Sequence, residues 1–155
     1  MPPQAIEQRS EFIEMVGLMV QTFGLRRISG RILGLLMFDG TVLSAHDMAE
    51  MLETSKGSVS TGLQELQAKS VIHKISHSGD RTTFYELLDH PYAELLTQSG
   101  ARARKSASAI LETLDVVEAE DRERNYRLAQ FAQFYVRIAD AMEDAGKRIL
   151  ATRCL

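Results

Sequence analysis

The chain has 155 residues, 45% of them hydrophobic and 25% charged, which suits one compact domain or a small reading module joined to an assembly module. No apolar run approaches the roughly 20 residues that span a bilayer, Met1 to Glu7 lacks the basic-then-apolar layout of a secretory signal, and the one cysteine, Cys154, excludes an internal disulfide, so the expected location is cytoplasmic. The net charge of −3 excludes a uniformly basic surface, and any nucleic-acid partner would need the 18 Lys and Arg gathered on one face.

From Ile6 to Phe23 the apolar residues Phe12, Ile13, Val16, Met19, Val20 and Phe23 fall at helical spacing. Gly24-Leu25 reads as a stop. Arg26 to Phe38 reads as a second helix with Ile28, Ile32, Leu35 and Leu36 inward, and Asp39-Gly40 as a turn. Ser44 opens the next helix as N-cap, with Asp47 three residues on completing a capping-box-like pair. Met48, Ala49, Met51 and Leu52 are its expected buried side. That helix must be short, because Thr54-Ser55 offers a new cap almost at once. The helix that follows, Lys56 to Lys69, buries Val59, Leu63 and Leu66 at spacings of four and three.

The period then changes. Val71 to Ser76 alternates as a strand does, Thr82 to Leu87 is β-branched and aromatic, and the polar loop His77-Ser78-Gly79-Asp80-Arg81 joins them as a hairpin. After His90-Pro91 the pattern is helical to the end. Leu96, Gly100, Ala103, Ala107, Ile110, Leu114 and Val117 form one seam. Leu128, Phe131, Tyr135, Ile138, Met142, Ala145 and Ile149 form a second. The second runs about three heptads, the length at which an a/d pattern argues for helix pairing between subunits as well as within one. The charged stretch Glu118 to Asn125 is the expected bend between them.

The three helices that precede the hairpin place the last of them, Lys56 to Lys69, proud of the surface. Its exposed face carries Lys56, Ser58, Ser60, Thr61 and Gln64, side chains able to meet base edges or phosphates. Gly57 and Gly62, with the small Ser58 and Ser60, would let the backbone approach DNA closely, and each glycine costs up to about 1 kcal/mol of helix propensity relative to alanine. Arg81 at the hairpin tip is placed to reach phosphate or the minor groove. Residues 26–88 hold seven basic and seven acidic side chains, so DNA binding there requires segregation by face.

These residues carry a resemblance. The run Phe23-Gly24-Leu25-Arg26-Arg27-Ile28-Ser29-Gly30-Arg31-Ile32-Leu33-Gly34, the run Ser55 to Leu63 and Gly79-Asp80-Arg81 resemble the GbsR-like branch of the MarR family of winged-helix transcriptional regulators. The similarity extends over residues 12–90. It implies a mostly α fold with a small β-hairpin wing: a winged helix-turn-helix over 25–90, flanked by dimerisation helices at 1–24 and 91–155. It also implies a homodimer that binds double-stranded DNA at a pseudo-palindromic operator and represses transcription. The recognition helix (Ser55, Lys56, Gly57, Ser58, Ser60, Thr61 and Gln64) is then expected in the major groove. His77, Ser78, Gly79 and Arg81 form the wing contact, and Arg26, Arg27 and Arg31 meet the DNA backbone. In this family a cleft between the dimerisation helices and the winged domain commonly holds a small-molecule effector. Phe12, Phe23, Phe131 and Tyr135, with Tyr126 and Phe134, are its candidate lining, but helical spacing puts most of them in the core, where plain packing is the favoured reading. Aromatic faces suit quaternary-ammonium ligands.

Other classes fit less well. The chain has no phosphate-cradling glycine loop, no H-E-x-x-H motif and no nucleophile elbow, so an enzyme is not expected, nor a cofactor. His46, His73, His77 and His90 show no paired metal spacing and Cys154 stands alone. No metal site is expected, and a metal- or redox-responsive sensor is the weaker alternative. The other alternative is a winged-helix module that binds protein instead of DNA.

Overall fold

The computed structural model describes residues 2–76, 82–117 and 121–152. The chain packs as two units, one ending at Pro91 and one beginning at Tyr92.

In the first unit, helix α1 (Pro3–Met19) starts with proline in its first turn, where the missing N–H costs nothing. It runs into a 3-10 turn (Val20–Phe23) closed by Gly24 at φ +74, a left-handed conformation that favours glycine. Helix α2 (Arg27–Asp39) is buried nearly all round, with Ser29, Gly30, Ile32, Leu33, Gly34, Leu35 and Leu36 inside, because α1 packs on one side of it and the later helix Lys56–Ala68 on another. Glycines set the close approach of α1 to α2. A Cβ at Gly30 would lie 2.6 Å from the Gly17 Cα and 2.7 Å from the Val16 carbonyl oxygen. The Arg9 guanidinium clamps the pair at its far end, with Nε and Nη2 donating to the two Asp39 carboxylate oxygens at 2.8 and 2.7 Å.

A two-residue strand β1 (Leu43–Ser44) leads into α3 (Ala45–Met51), and α4 (Lys56–Ala68) follows. The hairpin strands are β2 (Ile72–Ser76) and β3 (Thr83–Leu87). The sheet is antiparallel in the order β1-β3-β2, with Leu43 opposite Tyr85 and Lys74 opposite the same Tyr85. The helices and the hairpin thus stand where sequence periodicity puts them. The third strand is too short to leave a periodic signal. Met51 is a correction: it is 43% exposed while Met48, Ala49 and Leu52 are buried, since one seven-residue helix presents only a narrow stripe to the core.

The second unit is a helical pair, α5 (Pro91–Val116) and α6 (Arg122–Ala151). The Asp121 carboxylate caps α6 by accepting the Arg124 N–H at 2.9 Å. A Cβ at Gly100 would lie 3.1 Å from the Ala139 carbonyl oxygen, and one at Gly146 would lie 3.1 Å from that of Ala93. The helices therefore run antiparallel in near-backbone contact, with Ala93, Gly100 and Ala107 of α5 buried against Ala132, Ala139 and Gly146 of α6. Within one chain, α6 packs on α5 through a different stripe from the expected seam. The buried stripe is the small one, spaced by sevens, because only small side chains permit so close a crossing. The larger residues Leu128, Tyr135, Ile138 and Met142 are half-buried and Phe131 is exposed. On α5 the expected Gly100, Ala103 and Ala107 are buried as the spacing predicts.

Candidate nucleic-acid interface

The site is built from the bottom by two caps. Ser44 Oγ accepts the Asp47 N–H at 3.2 Å while an Asp47 carboxylate oxygen accepts the Ser44 N–H at 3.1 Å. This reciprocal box starts α3, and the Ser44 hydroxyl helps hold the Asp47 carboxyl below the usual carboxylate range. After α3 the chain turns through Glu53, at φ +48, and Ser55 caps α4 by accepting the Ser58 N–H at 3.1 Å. The turn is held from below, where Arg31 Nη2 of α2 donates to the Leu52 carbonyl oxygen at 2.9 Å.

With its start fixed, α4 buries Val59, Gly62, Leu63 and Leu66 and turns Lys56, Gly57, Ser60 and Gln64 to solvent, with Ser58 and Thr61 half-exposed beside them. The Thr61 hydroxyl donates to the Gly57 carbonyl at 3.0 Å and keeps lone pairs free to accept. The outward face is thus polar, short-chained and rich in hydroxyls.

Gly62 does not belong to that face. It is buried, and a Cβ there would lie 2.7 Å from Ile32 Cδ1 and 3.4 Å from the Ser29 nitrogen. Its size serves the packing of α4 on α2, not the approach of a ligand. Gly57 is different, because the nearest atom a Cβ would meet is the Ser55 Oγ at 3.9 Å.

The acidic side chains of the balanced segment are largely turned inward or paired. Glu65 reaches back to the start of α2, where Arg26 has no side-chain cap of its own. Glu65 Oε2 accepts the Arg26 N–H at 2.9 Å and the hydroxyl of the fully buried Ser29. A carboxylate there favours the positive end of the α2 dipole and ties α4 to α2. Asp39 pairs with Arg9, Asp47 serves its cap, Glu50 lies 3.5 Å from His46, and Glu86 lies 2.7 Å from His73. Lys56, Lys74 and Arg26 remain exposed. Glu50 and Glu53 are exposed as well, so among the described residues of this segment the charges are only partly separated by face.

The three expected backbone arginines do not behave alike. Arg26 is exposed at the α2 N-cap. Arg27 donates to Glu14 of α1 at 2.5 Å, and Arg31 Nε approaches the same carboxylate at 2.6 Å. The hydrogen bond from Arg27 first, and the charge of Arg31 with it, hold the Glu14 carboxyl below its usual range. Arg31 is therefore a structural clamp, and Glu14 is a site residue that helical spacing alone did not single out. Glu14, Arg27, Ile28, Arg31, Thr54 and Ser58 line one open cleft of about 430 Å³ at the foot of α4.

The expected wing-tip residues His77, Ser78, Gly79 and Arg81 lie outside the described residues, as does Cys154. Of the candidate effector aromatics, Phe12 and Phe23 belong to the first unit, and Phe131 and Tyr135 to the second. Phe12 packs on Phe38 with ring centroids 5.7 Å apart, Phe23 closes the 3-10 turn, and Phe131 meets Tyr135 edge-on at 5.1 Å beside Phe134 on α6. Among the described residues no group of three or more His, Cys, Asp or Glu could hold a metal ion, and no helix is long and apolar enough to cross a membrane.

A capped short helix, a second helix with a polar outward face and a three-stranded antiparallel wing define a winged helix-turn-helix. The model of the MarR family matches residues 23–81, the span from the 3-10 turn to the wing. The HTH-type transcriptional regulator MmpR5 of Mycobacterium tuberculosis is 33% identical over 105 residues, 67% of this chain. This chain spans 61% of that relative's length. A crystal structure of a transcriptional regulator superposes with a TM-score of 0.76 over 94% of this chain and 99% of its own, at 23% identity, a likeness that shows the shared fold. Residues 23–81 thus match the MarR family model, and the winged-helix fold is shared.

Proposed function

We propose that the protein is a sequence-specific DNA-binding transcription regulator, a cytoplasmic repressor acting as a homodimer on a pseudo-palindromic operator. The observation that carries this reading is α4 itself: capped, clamped through Arg31 and Glu65, and presenting Lys56, Gly57, Ser60 and Gln64 outward with Ser58 and Thr61. Gln64 suits adenine, the hydroxyls suit several bases or phosphates, and Lys56 suits guanine or phosphate. Arg26 is the α2 arginine best placed for the DNA backbone, and Arg81 is proposed for the wing. Relatives described as transcriptional regulators support the reading.

The homodimer is supported by the ridge on α6, where the stacked Phe131 and Phe134 are each at least half exposed, an apolar surface of the kind that marks an interaction site. Membership of the GbsR-like branch and relief by a choline-like cation rest on the sequence resemblance and on the Phe131–Phe134–Tyr135 cluster. Isothermal titration with choline tests the ligand, and absence of heat at millimolar concentration would remove it.

Selection of bound DNA from a random pool tests the function. The expected product contains two half-sites about 10 bp apart, one helical turn. Binding to that DNA should weaken steeply with salt as counterions are released, and Lys56→Ala should lower the affinity. A protein that retains no DNA at low salt is instead a winged-helix module for a protein partner.

A further inference from the structure

The carboxylate of Glu14 stands in the same open cleft as Ser58, on the first turn of α4, and faces two arginines from α2. A surface meant only to attract phosphate would leave Arg27 unpaired. Instead two cations and one anion share the cleft, and the local charge is one unit, not two. Arg31 cannot be recruited, because it holds the Leu52 carbonyl and is only 25% exposed. Arg27 can be recruited, because its side chain is 57% exposed and that of Glu14 is 37%. An ion pair so exposed contributes little in water, so a DNA phosphate can compete with it.

We propose that Glu14 is a built-in restraint on DNA affinity: it occupies Arg27 in the free protein and withholds one phosphate contact from the DNA-facing surface. The proposal rests on the DNA-binding reading above and deepens it by naming a residue outside the helix-turn-helix that sets the strength of binding. Anything that removes the Glu14 charge or draws it away would tighten the complex by releasing Arg27. The restraint is electrostatic, so its signature is in the salt dependence and not only in the affinity.

The test uses DNA selected from the random pool and fluorescence anisotropy from 50 to 200 mM salt on the full chain. The proteins compared are the wild type, E14Q, E14M, R27Q and the E14Q/R27Q double variant, each checked by a cooperative melt. One released arginine should steepen the slope of log K against log salt by up to about 0.9, which is about 3.5-fold in affinity over that fourfold salt range. Both neutral replacements at Glu14 should show this, which keeps the result readable if one of them folds poorly. R27Q should cost more affinity in the E14Q background than in the wild type, since only there is Arg27 fully available. Unchanged slopes in both Glu14 variants, or a gain that persists undiminished when Arg27 is removed, would overturn the proposal and leave DNA binding intact. A wild-type protein that binds no DNA overturns both.

Discussion

Gly57 and Gly62 lie five residues apart in α4 and answer to different constraints. At Gly57 a methyl group would enter open space, so Gly57→Ala should gain about 0.5–1 kcal/mol through helix propensity. At Gly62 the same methyl group would press on Ile32 Cδ1, and overpacking of this kind costs about 1–3 kcal/mol. Urea unfolding of the two variants should therefore move the midpoint in opposite directions, and shifts of the same sign would refute the packing role of Gly62. In DNA binding the order reverses: Gly57→Ala should weaken the complex although the protein is more stable. From sequence the two glycines look alike, because both fall in a helix of small residues. The partner that separates them, Ile32, comes from a helix distant in sequence, and periodicity carries no record of it.

Glu14 makes a further prediction at this scale. Its carboxyl titrates below the usual value of about 4.3, so the unfolded chain takes up a proton before the folded one does. The stability it contributes is present above about pH 4.5 and is lost as pH falls through the folded value. Wild type should therefore lose more stability between about pH 5 and pH 3 than E14Q does, as followed by thermal melts in low salt. Equal losses would mean that the pair with Arg27 is absent in solution.

At the scale of elements, the starts of α2, α3, α4 and α6 are held by side-chain caps, and the caps differ in how visible they are. Ser44 with Asp47 and Ser55 with Ser58 are local, three residues apart, so the sequence shows both and the helices begin where expected. The cap of α2 comes from Glu65, 39 residues beyond Arg26, and no spacing rule finds it. Glu65→Ala should be the most costly of the three cap removals. It leaves the Arg26 N–H without its acceptor and the hydroxyl of fully buried Ser29 without a partner, and an unsatisfied buried group costs about 1–3 kcal/mol. Ser55→Ala should cost about 1 kcal/mol. A cycle with Ser29→Ala separates the contributions: once the hydroxyl is gone, loss of Glu65 should cost measurably less. Simple additivity in denaturant unfolding would place the value of Glu65 elsewhere. The α5–α6 pair differs in another way. Its large apolar residues gave a clear heptad signal, yet the helices meet along Ala132, Ala139 and Gly146, because close approach of two backbones selects for small side chains and leaves the larger ones on the flank.

At the scale of the whole molecule, that flank is what the proposed homodimer needs. Two faces of α6 are available to test, and they predict different failures. Ala139 is fully buried against α5, so Ala139→Leu should force the two helices apart and lower the melting temperature whatever the oligomeric state. Phe131 is 50% exposed and Phe134 54%. Removing their charge-free surface should leave the fold of one subunit almost untouched. Burying one such ring is worth about 1.5–3 kcal/mol, so placing a carboxylate at both positions, Phe131→Asp with Phe134→Asp, would take several kcal/mol from an interface built on this ridge. The expected result by analytical ultracentrifugation is a dimeric wild type and a monomeric double variant with an unchanged circular dichroism spectrum. Such a monomer carries one recognition helix and should hold a single half-site weakly, so it should lose the dependence on half-site spacing as well as the affinity. If the double variant stays dimeric, the ridge on α6 is not the subunit interface. If it is monomeric and still discriminates spacing, the operator is not read by a two-fold pair.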